Sequence, residues 1–300
     1  MKFDKDFLML VKTQALKALL SDDNIMEQLV FKGGNAIAMI YKLQSRSSID
    51  LDFSMAQDFN SEEKINIHNR IKILLERSFE EVNYSVVNFN FEEKPKIGVN
   101  EFWGGYEVSF QLIDKKRLSD LPTHSKEILG RNSKAIYDDH KKFTIDISKY
   151  EYCNTKKSQK FEGYNIYVYT PEMIVFEKLR SICQQTEEYQ NIVKCSITPR
   201  ARDFFDIYNV IEKYKIDIST HENLDLLKAI FDVKKVPLKL IFEIKKSYSF
   251  HNDSFDVLKD TVIESTNSKL KDFHFYFSYL IEKIENLRDK IISKFPKILD

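Results

Sequence analysis

The chain has 300 residues, enough for one large domain or two modest ones, and 43% hydrophobic with 31% charged residues excludes wholesale disorder. Seven glycines and six prolines exclude collagen-like and linker-rich architectures, while 23 Phe and 15 Tyr promise aromatic packing. Lys plus Arg and Asp plus Glu each number 46, so a strongly basic nucleic-acid binder is excluded and any attraction to nucleic acid must be local.

Residues 5–20 place Phe7, Leu8, Val11, Ala15 and Leu19 at helical spacing. Ser21-Asp22-Asp23-Asn24 ends that helix or caps the next turn. Leu29-Val30-Phe31 predicts a short strand running into Gly33-Gly34, with Asn35 placed to cap a helix over 36–43. Residues 47–53 alternate and predict a strand, and a polar helix follows near 61–80. Strands are then predicted at 82–92, 104–113, 142–148 and 164–170. Pro171 suits the first turn of a helix, and from there the pattern is helical, over 201–213, 223–231, 237–247, 255–265 and 270–294. The shift near residue 170 predicts an α+β chain: a mixed-sheet domain over 1–169 and an all-helical domain over 170–300. No internal repeat and no low-complexity linker interrupts it.

Cys153, Cys183 and Cys195 are an odd, widely spaced set without a CxxC, so neither a disulfide framework nor a thiolate zinc site is expected. The six histidines form no HxxxH or HxE motif, and no metal site is assigned to them. The N-terminus has no apolar core of signal-peptide length, and no run approaches the roughly 20 apolar residues of a membrane span. A reduced cytoplasmic location without membrane contact is the expectation.

The informative segment is 30–54, VFKGGNAIAMIYKLQSRSSIDLDFS. In a strand, Ile49, Leu51 and Phe53 take one face and Asp50 and Asp52 the other. Two carboxylates on one face with no interleaved cation repel each other unless a cation such as Mg²⁺ sits between them. An isolated pair would equally suit an edge strand facing water. Gly33-Gly34, between a strand and a helix, lets backbone N–H groups approach a phosphate at a helix N-terminus, although alone it is also an ordinary turn. A third acid on the same polar phase is Asp146, in Phe143-Thr144-Ile145-Asp146-Ile147-Ser148; Asp114 is the competing candidate.

A Gly-Gly turn, a short helix and then Asp-x-Asp on the next strand resembles the DNA polymerase β-like nucleotidyltransferase superfamily. In detail, Gly33, Gly34, Ala36, Tyr41, Arg46, Ser48, Asp50, Leu51, Asp52 and Phe53 resemble the AbiEii/AbiGii toxins of type IV toxin–antitoxin and abortive-infection systems. Fifteen residues separate Gly34 from Asp50, which favours this branch. Two later phrases agree: PEMIVFEKLRS with Lys178, and RARDFFDIY with Arg200, Arg202, Asp203, Asp206 and Tyr208. The likeness spans residues 30–210, and 215–300 match nothing.

The resemblance implies a nucleotidyltransferase fold followed by the helical domain, and transfer of a nucleotide from a nucleoside triphosphate to a hydroxyl acceptor. The implied metal is Mg²⁺ on Asp50 and Asp52, with Asp146 binding a second ion or accepting the acceptor's proton. Gly33, Gly34 and Ser48 would hold the β,γ-phosphates, Lys178 would neutralise triphosphate charge, and Asp203 would orient Lys178 or the acceptor. The implied acceptor is RNA, tRNA foremost, and the implied partner a cognate antitoxin. Protein AMPylation and a non-catalytic nucleotide- or partner-binding module are the competing readings. Lys115-Lys116-Arg117, Lys141-Lys142 and Lys156-Lys157 would meet an RNA backbone or stand as solvated loop lysines. Phe204, Phe205 and Tyr208 are expected in the core rather than as base-stacking platforms.

Overall fold

Alternation of apolar and polar residues builds a sheet in the first of two units, which comprises Met1–Ala36, Ser48–Gly98 and Gly104–Val168. The computed structural model describes residues 4–43, 46, 48–95, 101–194, 196–262 and 270–299; Cys195 and the end of the helix expected at 255–265 lie outside them. The strands are β1 (Val30–Lys32), β2 (Leu51–Ser54), β3 (Tyr84–Lys94), β4 (Gly105–Asp114), β5 (Phe143–Ser148), β6 (Lys157–Phe161) and β7 (Tyr164–Val168). They form one mixed sheet in the order β3-β4-β5-β2-β1-β7-β6. β2 runs parallel to β5 and β1 parallel to β7, and the remaining neighbours are antiparallel.

One face of this sheet is apolar. Phe31, Leu51, Phe53, Val108, Phe110, Phe143, Ile145 and Ile147 are all buried. The helices of the unit are α1 (Lys5–Leu20), α2 (Asp23–Gln28), α3 (Gly33–Asn35), α4 (Ser61–Glu80), α5 (Lys115–Ser119) and α6 (Lys126–Asn132). Ile67, Ile71, Leu75 and Phe79 give α4 a buried stripe at helical spacing, and Phe79 meets Phe110 with ring centroids 5.4 Å apart. Asn60 and Glu63 close a capping box at the start of α4, which explains why this polar helix begins so sharply.

Three local expectations change. β6 goes unread in the sequence because four of its five residues are exposed, so apolar alternation is hidden on a charged edge strand paired only with β7. Lys157 therefore lies in a strand, not a loop. The helix expected over 36–43 is a π-helical turn over Ala36–Ile40. Finally, β2 starts at Leu51, so Asp50 immediately precedes the strand rather than lying within it.

The second unit comprises Ile37–Ser47, Val99–Trp103 and Tyr169–Asp300. Its helices are α7 (Pro171–Cys183), α8 (Glu187–Gln190), α9 (Ala201–Tyr214), α10 (His221–Asp232), α11 (Tyr248–Asn252), α12 (Phe255–Lys259) and α13 (Phe273–Lys294). Thr170 caps α7 and Pro171 occupies its first turn, as the sequence predicts. Leu238–Lys246 winds as a 3₁₀ helix instead of the α-helix expected there. Leu238, Ile241 and Ile244 recur every third residue and are all buried, which suits the three-residue turn. Phe204 and Phe205 are buried, Phe204 stacks on Phe277 at 5.5 Å, and Tyr208 meets Tyr279 edge-on at 4.9 Å. Among the described residues, no helix is long and apolar enough to cross a membrane.

Gly105 marks a tight point of the sheet. A Cβ built there would lie 2.2 Å from the carbonyl oxygen of Ile147, a backbone atom that cannot swing aside. Gly105→Ala is expected to cost about 1–3 kcal/mol by overpacking. Chemical denaturation of the variant beside the parent chain measures this, and an unchanged midpoint would contradict it.

Candidate active site

The opposite face of the sheet is polar, and its register aligns a row of charges. Lys32 on β1 is the Cα partner of Asp52 on β2; Asp52 partners Asp146 on β5; Asp146 partners Glu107 on β4. Residues directly opposite one another on paired strands present their side chains to the same face. Lys32, Asp52, Asp146 and Glu107 therefore lie side by side across four strands.

Gly33 adjoins this row. Its φ is +72°, in the left-handed region that favours glycine. A Cβ on Gly33 would stand 2.3 Å from Oδ2 of Asp52, so only a residue without a side chain lets the bend approach the carboxylate this closely. Asn35, just past the bend, is buried and donates from Nδ2 to the carbonyl oxygen of Asp50 at 2.6 Å. It ties the bend to the acid segment rather than capping a helix. The Asp50 carboxylate accepts from Thr144 Oγ1 at 2.8 Å, and Thr144 shares a face of β5 with Asp146. Gly34 is buried, and Ser48 is half-buried two residues before Asp50.

The structure thus brings Gly33, Asp50, Asp52 and Asp146 to one face. Asp114 is instead the N-cap of α5, accepting from the backbone N–H groups of Lys116 and Arg117 at 2.9 and 3.2 Å. Asn35 and Thr144 are site residues whose parts the sequence reading missed. Their signals were adjacency to Gly33-Gly34 and the two-residue offset from Asp146.

Crowding of the acids shows in the proton affinity of Asp146. Partial desolvation, then the like charges of Asp50 and Glu107, pushes the Asp146 carboxyl up to about 6. Glu107 is balanced by Lys94 Nζ at 2.5 Å and Lys142 Nζ at 3.6 Å, and its carboxyl is held below the ordinary range: burial opposes this, but the two ammonium groups outweigh it. Among the described residues no three acids, imidazoles or thiols are already gathered into a metal cage. The donor set still fits a hard cation, because carboxylate oxygens that repel one another are stabilised by it. Mg²⁺ characteristically takes one or two carboxylates and completes its shell with water and phosphate oxygens.

The helical unit holds a second charged group. Arg46 grips Asp206 bidentately, Nε to Oδ1 at 2.9 Å and Nη2 to Oδ2 at 2.7 Å. Lys178 Nζ lies 2.8 Å from both Asp206 Oδ2 and Asp203 Oδ1. All four residues are buried, and their charges balance. Burial by itself would raise the Asp206 carboxyl, but Arg46 and Lys178 outweigh it and hold it down to about 2. Asp203 lies below its usual value for the same reason, through Lys178 and Arg200. Beside them, His251 accepts from the Arg200 backbone N–H at Nδ1, 3.1 Å away, and burial pushes its imidazole down to about 4, so it is neutral at pH 7. Tyr41, another residue of the quoted pattern, lies in this unit and donates to the Tyr169 carbonyl at 2.5 Å.

The sequence matches, over residues 14–272, the family described as nucleotidyl transferase AbiEii toxin, type IV toxin–antitoxin system. The chain belongs to the AbiEii family. It is a nucleotidyltransferase of that family, with an α+β fold built on a mixed sheet. No curated protein matches it in sequence. Looser likenesses join it to a protein from H. pylori provisionally named a nucleotidyltransferase, 18% identical over 95% of both chains with a TM-score of 0.48. JHP933 from Helicobacter pylori is 17% identical over 98% of this chain and 96% of its own, with a TM-score of 0.47.

In this AbiEii chain the quoted pattern divides between the two units. Gly33, Gly34, Ser48, Asp50, Asp52 and Asp146 belong to the sheet unit; Tyr41, Arg46, Lys178, Asp203 and Asp206 belong to the helical unit. Lys178, which the resemblance sets to meet a triphosphate, is 5% exposed. Removing it strands two buried carboxylates, so Lys178→Ala is expected to destabilise the fold by about 3–5 kcal/mol, read as a lowered melting temperature. A melting temperature equal to the parent's would show that the carboxylates find other partners. At the acid row, a carboxyl raised in the folded state costs stability once ionised, and the cost vanishes as pH falls below its unfolded value. Asp146→Asn is therefore expected to raise the melting temperature at pH 8 in EDTA and to leave it unchanged near pH 3. Thermal scans at both pH values check the sign.

Proposed function

We propose that the chain transfers a nucleoside monophosphate from a Mg²⁺-bound nucleoside triphosphate to a hydroxyl of RNA, tRNA foremost, arresting growth until a cognate antitoxin counters it. The observation that carries this reading is the contact of the Gly33 bend with Asp52, whose neighbour in register is Asp146. Phosphate oxygens need close backbone N–H donors, and the metal that accompanies a triphosphate needs carboxylates within the same few ångströms.

Asp50 and Asp52 would hold Mg²⁺, with Asp146 as ligand to a second ion or as acceptor of the proton leaving the attacking hydroxyl. Bound there, the metal supplies charge stabilisation at the attacking and leaving oxygens. Thr144 fixes the Asp50 carboxylate and Asn35 fixes its backbone, so Asp50 is oriented before a substrate arrives. Gly33, Gly34 and Ser48 would bind the β,γ-phosphates. The proton affinity of Asp146, shifted toward neutrality, suits a group that takes a proton near physiological pH.

Lys178 and Asp203 enter on the resemblance alone. Lys178 would neutralise triphosphate charge and Asp203 would orient it, the latter in keeping with their 2.8 Å contact. An antitoxin partner and action in the cytoplasm, without a membrane partner, complete the proposal, in keeping with the family's type IV toxin–antitoxin description.

The deciding experiment incubates purified chain with each α-³²P-labelled nucleoside triphosphate, Mg²⁺, and either total RNA or cell protein. Label in RNA is expected, tRNA foremost, with none in protein; label in protein alone would replace the RNA reading with AMPylation. Asp52→Asn is expected to keep the fold and lower transfer by a factor of 10² or more, since it removes a metal carboxylate; about 10²–10³ is the scale for losing one electrostatic group at a reacting centre. Full transfer by that variant would remove Asp52 from the mechanism.

A further inference from the structure

Lys32 is the one basic member of the row Lys32, Asp52, Asp146, Glu107. It is 7% exposed, immediately precedes the Gly33 bend, and has the acid Asp52 directly across from it on β2. Its Nζ lies 3.3 Å from Ser148 Oγ and 3.9 Å from Glu151 Oε1, at the end of the sheet face that carries the acids. Lys94, and after it Lys32, lowers the proton affinity of Asp146, so the charge of both ends of the row is felt there. Glu107 is contacted by Lys94 and Lys142 near the far end of the row, while Lys32 stands at the end next to the Gly33 bend.

We propose that Lys32 is a resident cation of the acid site, a positioning residue that weakens capture of a bare divalent ion and strengthens capture of the same ion when it arrives on a triphosphate. The proposal rests on reading this face as a metal–triphosphate site. The physics has two opposite signs. A buried ammonium beside the carboxylates repels a lone dication and lowers its affinity. A magnesium–triphosphate complex carries net negative charge, so the same ammonium attracts it, and the Gly33 bend next in sequence is where the phosphates approach. Ordered entry follows: the ion is held firmly only with its nucleotide, and the site resists filling by free metal. A lysine that merely braced β1 against the Ser148 end of β5 would show neither sign separately.

The test measures two affinities on Lys32→Met, Lys32→Arg and the parent. Mn²⁺ alone is titrated by electron paramagnetic resonance of the free ion, with no nucleotide present. Each of the four nucleoside triphosphates is titrated calorimetrically at fixed Mg²⁺. Lys32→Met is expected to bind Mn²⁺ about fivefold or more tightly and the best-bound triphosphate about tenfold more weakly, the scale of one unit charge at a partly screened site. Lys32→Arg keeps the charge and should stay near the parent in both. Because Glu151 is buried, the double variant Lys32→Met/Glu151→Gln removes the stranded carboxylate too, and should show opposed shifts of the same sign but smaller size, since a negative charge leaves with the positive one. Both affinities falling together, or neither moving, in a folded variant would overturn the proposal. A parent chain that binds neither Mn²⁺ nor any triphosphate would overturn the site reading itself, and this inference with it, which is a different outcome from parallel losses in the variant.

Discussion

The acid face depends on one close approach: the backbone at Gly33 packed against the Asp52 carboxylate. The bend has positive φ and no room for a Cβ, so glycine meets both a conformational and a steric demand at the same position. Once the bend is there, β1 and β2 pair with Lys32 opposite Asp52, and Asn35 reaches the Asp50 carbonyl. Parallel pairing of β2 with β5 then sets Asp146 beside Asp52. Backbone hydrogen bonding holds together groups whose charges would drive them apart.

The two units handle charge in opposite ways. In the helical unit, Arg46, Lys178, Asp203 and Asp206 are buried and matched, and Asp206 is kept ionised to about pH 2. Full pairing is the condition under which buried charge is tolerable. On the sheet, Asp52, Asp146 and Glu107 stand side by side, and partial desolvation with the like charges of Asp50 and Glu107 moves Asp146 up to about 6. Crowded carboxylates set on rigid strands are a poor structural device and a good receptor for a cation. That contrast, more than the number of acids, is why we propose the sheet face as the place of chemistry.

Much of this was legible along the chain. The period-two pattern of residues 143–148 put Asp146 on the polar phase, and the strand does expose it there while burying Phe143, Ile145 and Ile147. Lys178 and Asp203 were read as neighbours in function, and they are neighbours in space. What escaped were interactions between residues far apart in sequence. Asp114 and Asp146 looked alike until one proved to be a helix cap and the other the register partner of Asp52. Arg46 stood in the quoted pattern without a partner, because Asp206 lies 160 residues away. β6 was missed because edge strands carry charge on the face that usually signals burial.

The amino-acid sequence by itself determined most of the elements and the family, because local spacing and short motifs encode those; it did not reveal β6 or that Ile37–Ser47 and Val99–Trp103 group with the helical unit. Tertiary structure alone decided which acids share a face, which lysine is spent on buried carboxylates, and which stands in the row beside the glycine bend. Strand order and register carry that information. They arise from long-range pairing across the sheet, which no window of neighbouring residues contains.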